Sequence, residues 1–326
     1  MSNLKLTTKN EVEMGKVVIK RKRFTLKSVS EKVIELIFAS SGYLILITIL
    51  SVFLFLLWEG WNALDSTGLK EFLFFEDKVT GVKSSQWNPT SNEEKYSLLP
   101  LIAGSFLTSL LATLLASLAG ILTGIYLSEI AGTKTREILK PAIEMFSAIP
   151  TVALGFIMLV LVATFITDIF NPENRLNALL ASVGLSIIVI PIVATLTEDA
   201  LRSIPEEIRL TSLSLGASRW QTVFYTLIPA ASGGISAGIL LGFSRAIGET
   251  MIVLMTTGNA SNLTFNIFSS VRTMTATIGA ELGEVAFGTP HYYALFLIGL
   301  ILFVLTFLIN FTADIINRIY RGRNKF

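Results

Sequence analysis

The sequence predicts an all-α polytopic membrane protein with six transmembrane helices, and three observations carry that prediction. Of 326 residues, 52% are hydrophobic and only 15% charged, against about 25% charged in a typical soluble domain. The apolar residues gather in long charge-poor runs near the roughly 20 residues that a helix needs to cross the hydrocarbon core. Lys and Arg, finally, are shared unequally between the connections on alternate sides of those runs. A mean hydropathy of +0.66 excludes a disordered chain, which combines low hydrophobicity with high net charge. With no Cys, disulfides, thiol chemistry, Cys-zinc sites and iron–sulfur clusters are excluded, and the single His291 excludes a multi-histidine metal centre. The expected cofactor and metal complement is therefore none.

The six runs cover residues 36–58, 98–128, 145–167, 177–197, about 229–258, and 292–312. The second has no charge, whereas the fifth carries Arg245 and Glu249. A weaker apolar stretch, 265–287, is interrupted by Arg272, Glu281 and Glu284 and reads as an external helix or re-entrant piece. With alternate sides assigned, inner segments hold 19 Lys and Arg, outer segments hold 6, and Arg245 lies within a span. By the positive-inside rule both termini are cytoplasmic. The first run is too long and its basic leader too extended for a cleavable signal, so it reads as an anchor.

The outer loop 59–97 carries four basic and seven acidic residues and ends in the turn-forming Trp87-Asn88-Pro89. It serves either as a solvated cap or as a docking surface for an external protein. The inner loop 198–226 is more strongly patterned. Ser203-Ile204-Pro205-Glu206 fits a capping box, and Pro is tolerated in a first helical turn. Ile208 and Leu215 share a helical face, Gly216 suits the left-handed residue that ends a helix, and Arg219-Trp220 begins a new segment. The expectation is helix, glycine turn, helix, either resting on lipid headgroups or gripped by another protein.

Arg245 and Glu249 are the most informative residues. A lone charge at mid-membrane costs roughly 2.5–3.5 kcal/mol on insertion scales, and a spacing of four brings the two side chains within reach. Pairing lowers that cost without explaining why the pair exists. Gly234, Gly238, Gly242 and Ala246 form a row of small residues that admits a close helix neighbour. On a helix of 3.6 residues per turn, both charges fall within about 60° of Gly242. The pair is thus expected to face protein. It reads either as a substrate path or as a buried pair that sets helix register.

The loop, from Gly216 to Leu227-Ile228-Pro229, resembles the cytoplasmic EAA loop of ABC importer permeases. The run Gly242-Phe243-Ser244-Arg245-Ala246-Ile247-Gly248-Glu249-Thr250-Met251-Ile252-Val253 is similar to permeases of phosphate ABC transporters, of the PstC type. Trp87-Asn88-Pro89, Leu98-Leu99-Pro100-Leu101-Ile102, Ala148-Ile149-Pro150-Thr151 and Arg272-Thr273-Met274-Thr275-Ala276-Thr277-Ile278 fit as well. One departure is Leu210, where the family's loop carries Glu, followed by Thr211 and Ser212 in place of two alanines.

The resemblance implies a non-catalytic permease subunit of an ATP-driven phosphate importer with a MetI-like core of the ABC type I importers. It implies a substrate pathway at Arg245, Glu249 and Thr250. The ATPase-coupling loop would use Pro205, Glu206, Leu210, Gly216, Ala217 and Arg219, with Gly234, Gly238 and Gly242 for helix packing. The implied partners are a second related permease, two ATP-binding subunits, an external phosphate-binding protein, inorganic phosphate and membrane lipid, with no nucleic acid. The implied location is the bacterial inner membrane. The segments would be a basic tail 1–33, a first transmembrane helix 34–58, the external loop 59–97, the permease core 98–317 and a tail 318–326.

Two rival oxyanions, sulfate and molybdate, belong to relatives that read Gly-Glu-Phe-Gly where this chain has Gly248-Glu249-Thr250-Met251. An intramembrane serine protease would use Ser244, but Arg245 follows it and only His291 could act as base. A channel or secondary transporter has no use for the Gly216 loop. No Gly-rich loop ends in Gly-Lys-Ser/Thr, so ATP hydrolysis falls to a partner.

Overall fold

In the computed structural model, residues 26–68, 72, 75–76, 83–91 and 93–323 are described. Residues 1–25 of the expected basic tail, with most of its Lys and Arg, lie outside the described residues. Among the described residues six helices are long and apolar enough to cross a membrane: Lys32–Asp65, Leu99–Ile130, Thr151–Phe170, Ala178–Arg202, Arg219–Ile247 and Pro290–Ile319. The all-α, six-span expectation holds.

Contacts divide the chain into two units, Met1–Val52 and Phe53–Phe326. Helix α1 (Leu26–Thr67) starts in the first unit, where it exposes apolar side chains all round, among them Leu36, Phe38, Tyr43 and Leu46. A helix that is apolar on every face is at home in lipid.

In the second unit the centre is built by α2 (Leu99–Ile125), α6 (Ala178–Arg202) and α9 (Ile228–Ile247). The elements between them are α3 (Thr133–Met145), α4 (Thr151–Ile157), α5 (Ala163–Phe170), α7 (Glu206–Ser214) and α8 (Arg219–Thr222). Beyond α9 come α10 (Met251–Thr256), α11 (Met274–Glu281) and α12 (Pro290–Arg323). Small residues let the central helices approach closely. A Cβ on Gly242 would stand 2.7 Å from Val189, one on Gly238 2.9 Å from Leu196, and one on Gly234 2.5 Å from Ala200. The small-residue row of α9 therefore meets α6 of the same chain.

The span boundaries shift from those expected, and in two spans the shift changes the path of the chain. The third begins at Thr151 rather than Met145. Residues 133–145 form the separate helix α3, none of whose residues is buried, and Ile149 before Pro150 is extended (φ −63°, ψ 127°), as a residue before proline prefers. The fifth does not run unbroken to Gly258. Helix α9 ends at Ile247, and α10 starts only at Met251.

The loop before α2 carries two antiparallel pairs, β1 (Phe75–Glu76) with β2 (Lys83–Ser84) and β3 (Trp87–Asn88) with β4 (Lys95–Tyr96). Trp87 faces Tyr96 in register and is fully buried with Phe72, Leu101, Met274 and Leu295. The 265–287 stretch returns against the bundle. Ala178 and Leu179 donate to the carbonyls of Ser269 and Ile267, and the Arg272 carbonyl crosses α2 so closely that a Cβ on Gly104 would stand 2.2 Å away. Thr273 caps α11 by accepting from the Ala276 amide. The stretch thus packs back on the bundle as a lead-in and the short helix α11.

Candidate functional site

The break between α9 and α10 is held open by side chains. The Glu249 carboxylate accepts the Met251 amide at 3.2 Å, and the Thr275 hydroxyl donates to the Glu249 carbonyl at 2.7 Å. Both replace hydrogen bonds that a continuous helix would make, so the backbone stays satisfied away from water. Arg245, in the last turn of α9, donates to Glu249 at 2.8 Å. The Glu249 side chain is 5% exposed and that of Arg245 45%, so the carboxylate lies inside the chain while much of the Arg245 side chain is presented at its surface. Thr250 lies against α11, where a Cβ on Gly279 would meet its methyl at 2.8 Å. Arg245, Glu249 and Thr250 are thus brought together.

At the far end of α9 the loop 198–226 forms the expected helix, glycine turn, helix. Gly216 has φ +88°, its amide donates to Leu213 and the Ala217 amide to Ser212. These are the two bonds of a Schellman stop. A Cβ at Gly216 would meet nothing within 4 Å, so backbone conformation alone calls for glycine. The capping box expected at Ser203–Glu206 is absent. Ser203 instead closes α6, donating to the Ala200 carbonyl at 2.7 Å, which leaves Pro205 at the N-cap of α7 with no side-chain acceptor. The capping box sits at Ser218 and Gln221 and starts α8.

Arg209 ties this loop to the bundle. Its guanidinium meets Glu129 at 2.8 Å and donates to the Leu201 carbonyl at 2.9 Å, linking α7 to the ends of α2 and α6. Beside it lies a cavity of about 340 Å³ lined by Glu129, Glu206, Arg209, Leu210, Arg219 and Trp220, among others. Leu210, Leu213, Leu215, Trp220 and Tyr225 are exposed, an apolar surface beside two acidic residues at the start of α7.

Sequence reasoning missed three polar junctions. One is Arg209 with Glu129. Another is Glu198, 2% exposed, which meets Lys140 of α3 at 2.7 Å, with Arg202 at 3.8 Å and Arg136 at 4.0 Å. Burial by itself would lower the Lys140 pKa, but hydrogen bonds to Glu198 and Asp199, with their charges, outweigh it and raise it. The third gathers Trp87, Arg272 and His291 around Glu281. His291, the one residue that could have served as a protease base, is part of that junction. The only sequence signal was the charges that interrupt the 265–287 stretch.

Comparison with known proteins agrees with this architecture. The solved structure of a bacterial ABC transporter that imports the acidic polysaccharide alginate superposes with a TM-score of 0.57 at 12% identity, covering 89% of this chain and 98% of that one. An inward-facing MetNI methionine ABC transporter gives 0.50 at 20% identity, covering 67% and 93%. The "Probable ABC transporter permease protein YqgH" of Bacillus subtilis (strain 168) is 32% identical over 247 residues, 74% of this chain and 78% of the relative. The "Phosphate transport system permease protein PstC" of Mesorhizobium japonicum is 30% identical over 289 residues, 83% and 84% of the two chains. Residues 116–322 match the family described as the binding-protein-dependent transport system inner membrane component. The chain belongs to that family and is a multi-pass permease subunit of an ABC importer.

Proposed function

We propose that this permease forms one half of the translocation pathway of a phosphate importer. The carrying observation is the ion pair at the α9–α10 break, with Glu249 buried and Arg245 half presented. A guanidinium offers a planar fork of donors that matches phosphate oxygens in bidentate fashion and stays charged at any working pH. A free Arg would hold the anion too firmly for release. Glu249 holds Arg245 between substrates and competes for it as the anion leaves. The likeness to phosphate transport permeases over most of the chain supports the same substrate.

The Gly216 elbow, with Pro205, Glu206, Leu210, Ala217 and Arg219, is the surface for the ATPase. Two ATP-binding subunits pull it as they close on ATP, switching the pathway between outward- and inward-facing states. A second, related permease completes the channel, and an external phosphate-binding protein delivers the anion. Both termini are cytoplasmic, in keeping with the excess of Lys and Arg on that side.

Radiolabelled phosphate uptake by the reconstituted transporter, with sulfate and molybdate as competitors, tests the assignment. Uptake that unlabelled phosphate suppresses and excess sulfate does not is the expected result. Competition by sulfate or molybdate at equal concentration would overturn it.

A further inference from the structure

Glu281 accepts from three separate segments. The Trp87 indole donates to its two oxygens at 3.2 and 3.0 Å, Arg272 pairs with it at 2.5 Å, and His291 Nε2 lies 2.8 Å away. Trp87 belongs to the external loop, Arg272 to the segment before α11 that crosses Gly104, and His291 to the first turn of α12. Glu281, Arg272 and His291 side chains are each 14–17% exposed, and Trp87 is fully buried. Three segments that no covalent bond brings together therefore meet on one carboxylate.

That carboxylate ends α11, and the same helix touches the membrane break at two points. Thr275 donates to the Glu249 carbonyl, and Gly279 packs on Thr250. The six steps from Thr275 to Glu281 rise roughly 9 Å along the helix. The helix is anchored sideways as well, since the Met274 amide donates to the Ser105 hydroxyl of α2 at 2.9 Å.

We propose that Glu281 is a positioning residue for the Arg245–Glu249 pair: it locks the external loop, the segment before α11 and α12 into one joint, and α11 carries that constraint through Thr275 to the Glu249 break. The inference rests on the reading of that pair as the phosphate path. It makes the external loop part of the transport mechanism, because a partner that shifts Trp87 shifts the same carboxylate that sets α11. Coupling of this kind travels through contiguous packed and hydrogen-bonded groups, and a mutant cycle measures it.

The test uses the complete transporter in proteoliposomes, with uptake of radiolabelled phosphate scaled to the amount of assembled complex. Glu281→Gln is expected to lower uptake about tenfold, Thr275→Val several-fold, and the double variant no further than the worse single one. Thr275→Ser, which keeps the hydroxyl, is expected to stay within about twofold of wild type. Losses that multiply in the double variant overturn the proposal, as does Thr275→Ser falling as far as Thr275→Val. If Glu281→Gln does not assemble, Trp87→Phe replaces it in the cycle, since it removes the indole donor while keeping an aromatic ring in the buried site. Wild-type protein that carries sulfate and not phosphate overturns the phosphate reading alone, and the same cycle then decides the joint with sulfate as the probe.

Discussion

Arg245 and Glu249 form a 2.8 Å ion pair in which only Arg245 belongs to a helix, Glu249 lying in the break that follows. The geometry gives each partner a separate support. Arg245 is carried by α9, which is packed on α6 along its glycine row, whereas Glu249 is fixed through its carbonyl by Thr275 and through its carboxylate by the Met251 amide.

Arg245→Gln keeps a hydrogen-bond donor for Glu249 and removes the charge. Phosphate uptake should fall to background, while co-purification with the ATPase and ATP binding stay at wild-type levels. Arg245→Lys retains the charge without the planar fork, so partial uptake with weaker phosphate dependence is expected. Normal uptake by the Gln variant removes the pair from the pathway.

Gly216→Ala places a Cβ on a residue at φ +88° in open space. Its cost is backbone strain of about 1–2 kcal/mol, with no steric clash. Gly216→Asn, which tolerates the left-handed region, should cost less. ATPase co-purification is expected to decline in the order Gly, Asn, Ala, and Ala equal to wild type argues against a left-handed stop.

Gly124 lies against α6, where a Cβ would stand 2.6 Å from the Thr197 Cβ and 2.7 Å from the Ala194 carbonyl. Gly124→Ala must push two helices apart, at about 1–3 kcal/mol. Gly132→Ala, where nothing lies within 4 Å, serves as the control. A lower thermal midpoint is expected for the first alone, in detergent-purified protein.

Lys140 has a raised pKa in the folded protein because Glu198 and Asp199 hold its charge. The unfolded chain then releases the proton at lower pH than the folded one, so this stabilisation is complete below the ordinary lysine pKa of about 10.4 and fades as pH climbs through the folded value. The thermal midpoint of wild type should exceed that of Lys140→Gln at pH 8. That difference should shrink above about pH 10.4. A gap independent of pH shows that packing, not charge, separates the two.

Composition and run length were enough for six apolar spans, because crossing lipid is a demand on each segment separately. Gly216 was legible for a similar reason: a left-handed stop is a property of a few adjacent residues. The spacing of Arg245 and Glu249 likewise announced their pairing. Tertiary structure decided the rest. A helical wheel runs straight through residues 248–250, and it takes Thr275, far along the chain, to hold the Glu249 carbonyl out of the helix. Trp87 and Glu281 are separated by 194 positions, and neither carries a local pattern that names the other. In a chain where lipid and protein neighbours are equally apolar, periodicity does not tell which face meets which helix. Only the assembled bundle brings those polar groups to one point, since a buried hydrogen-bonding group is satisfied by whichever donor the fold delivers.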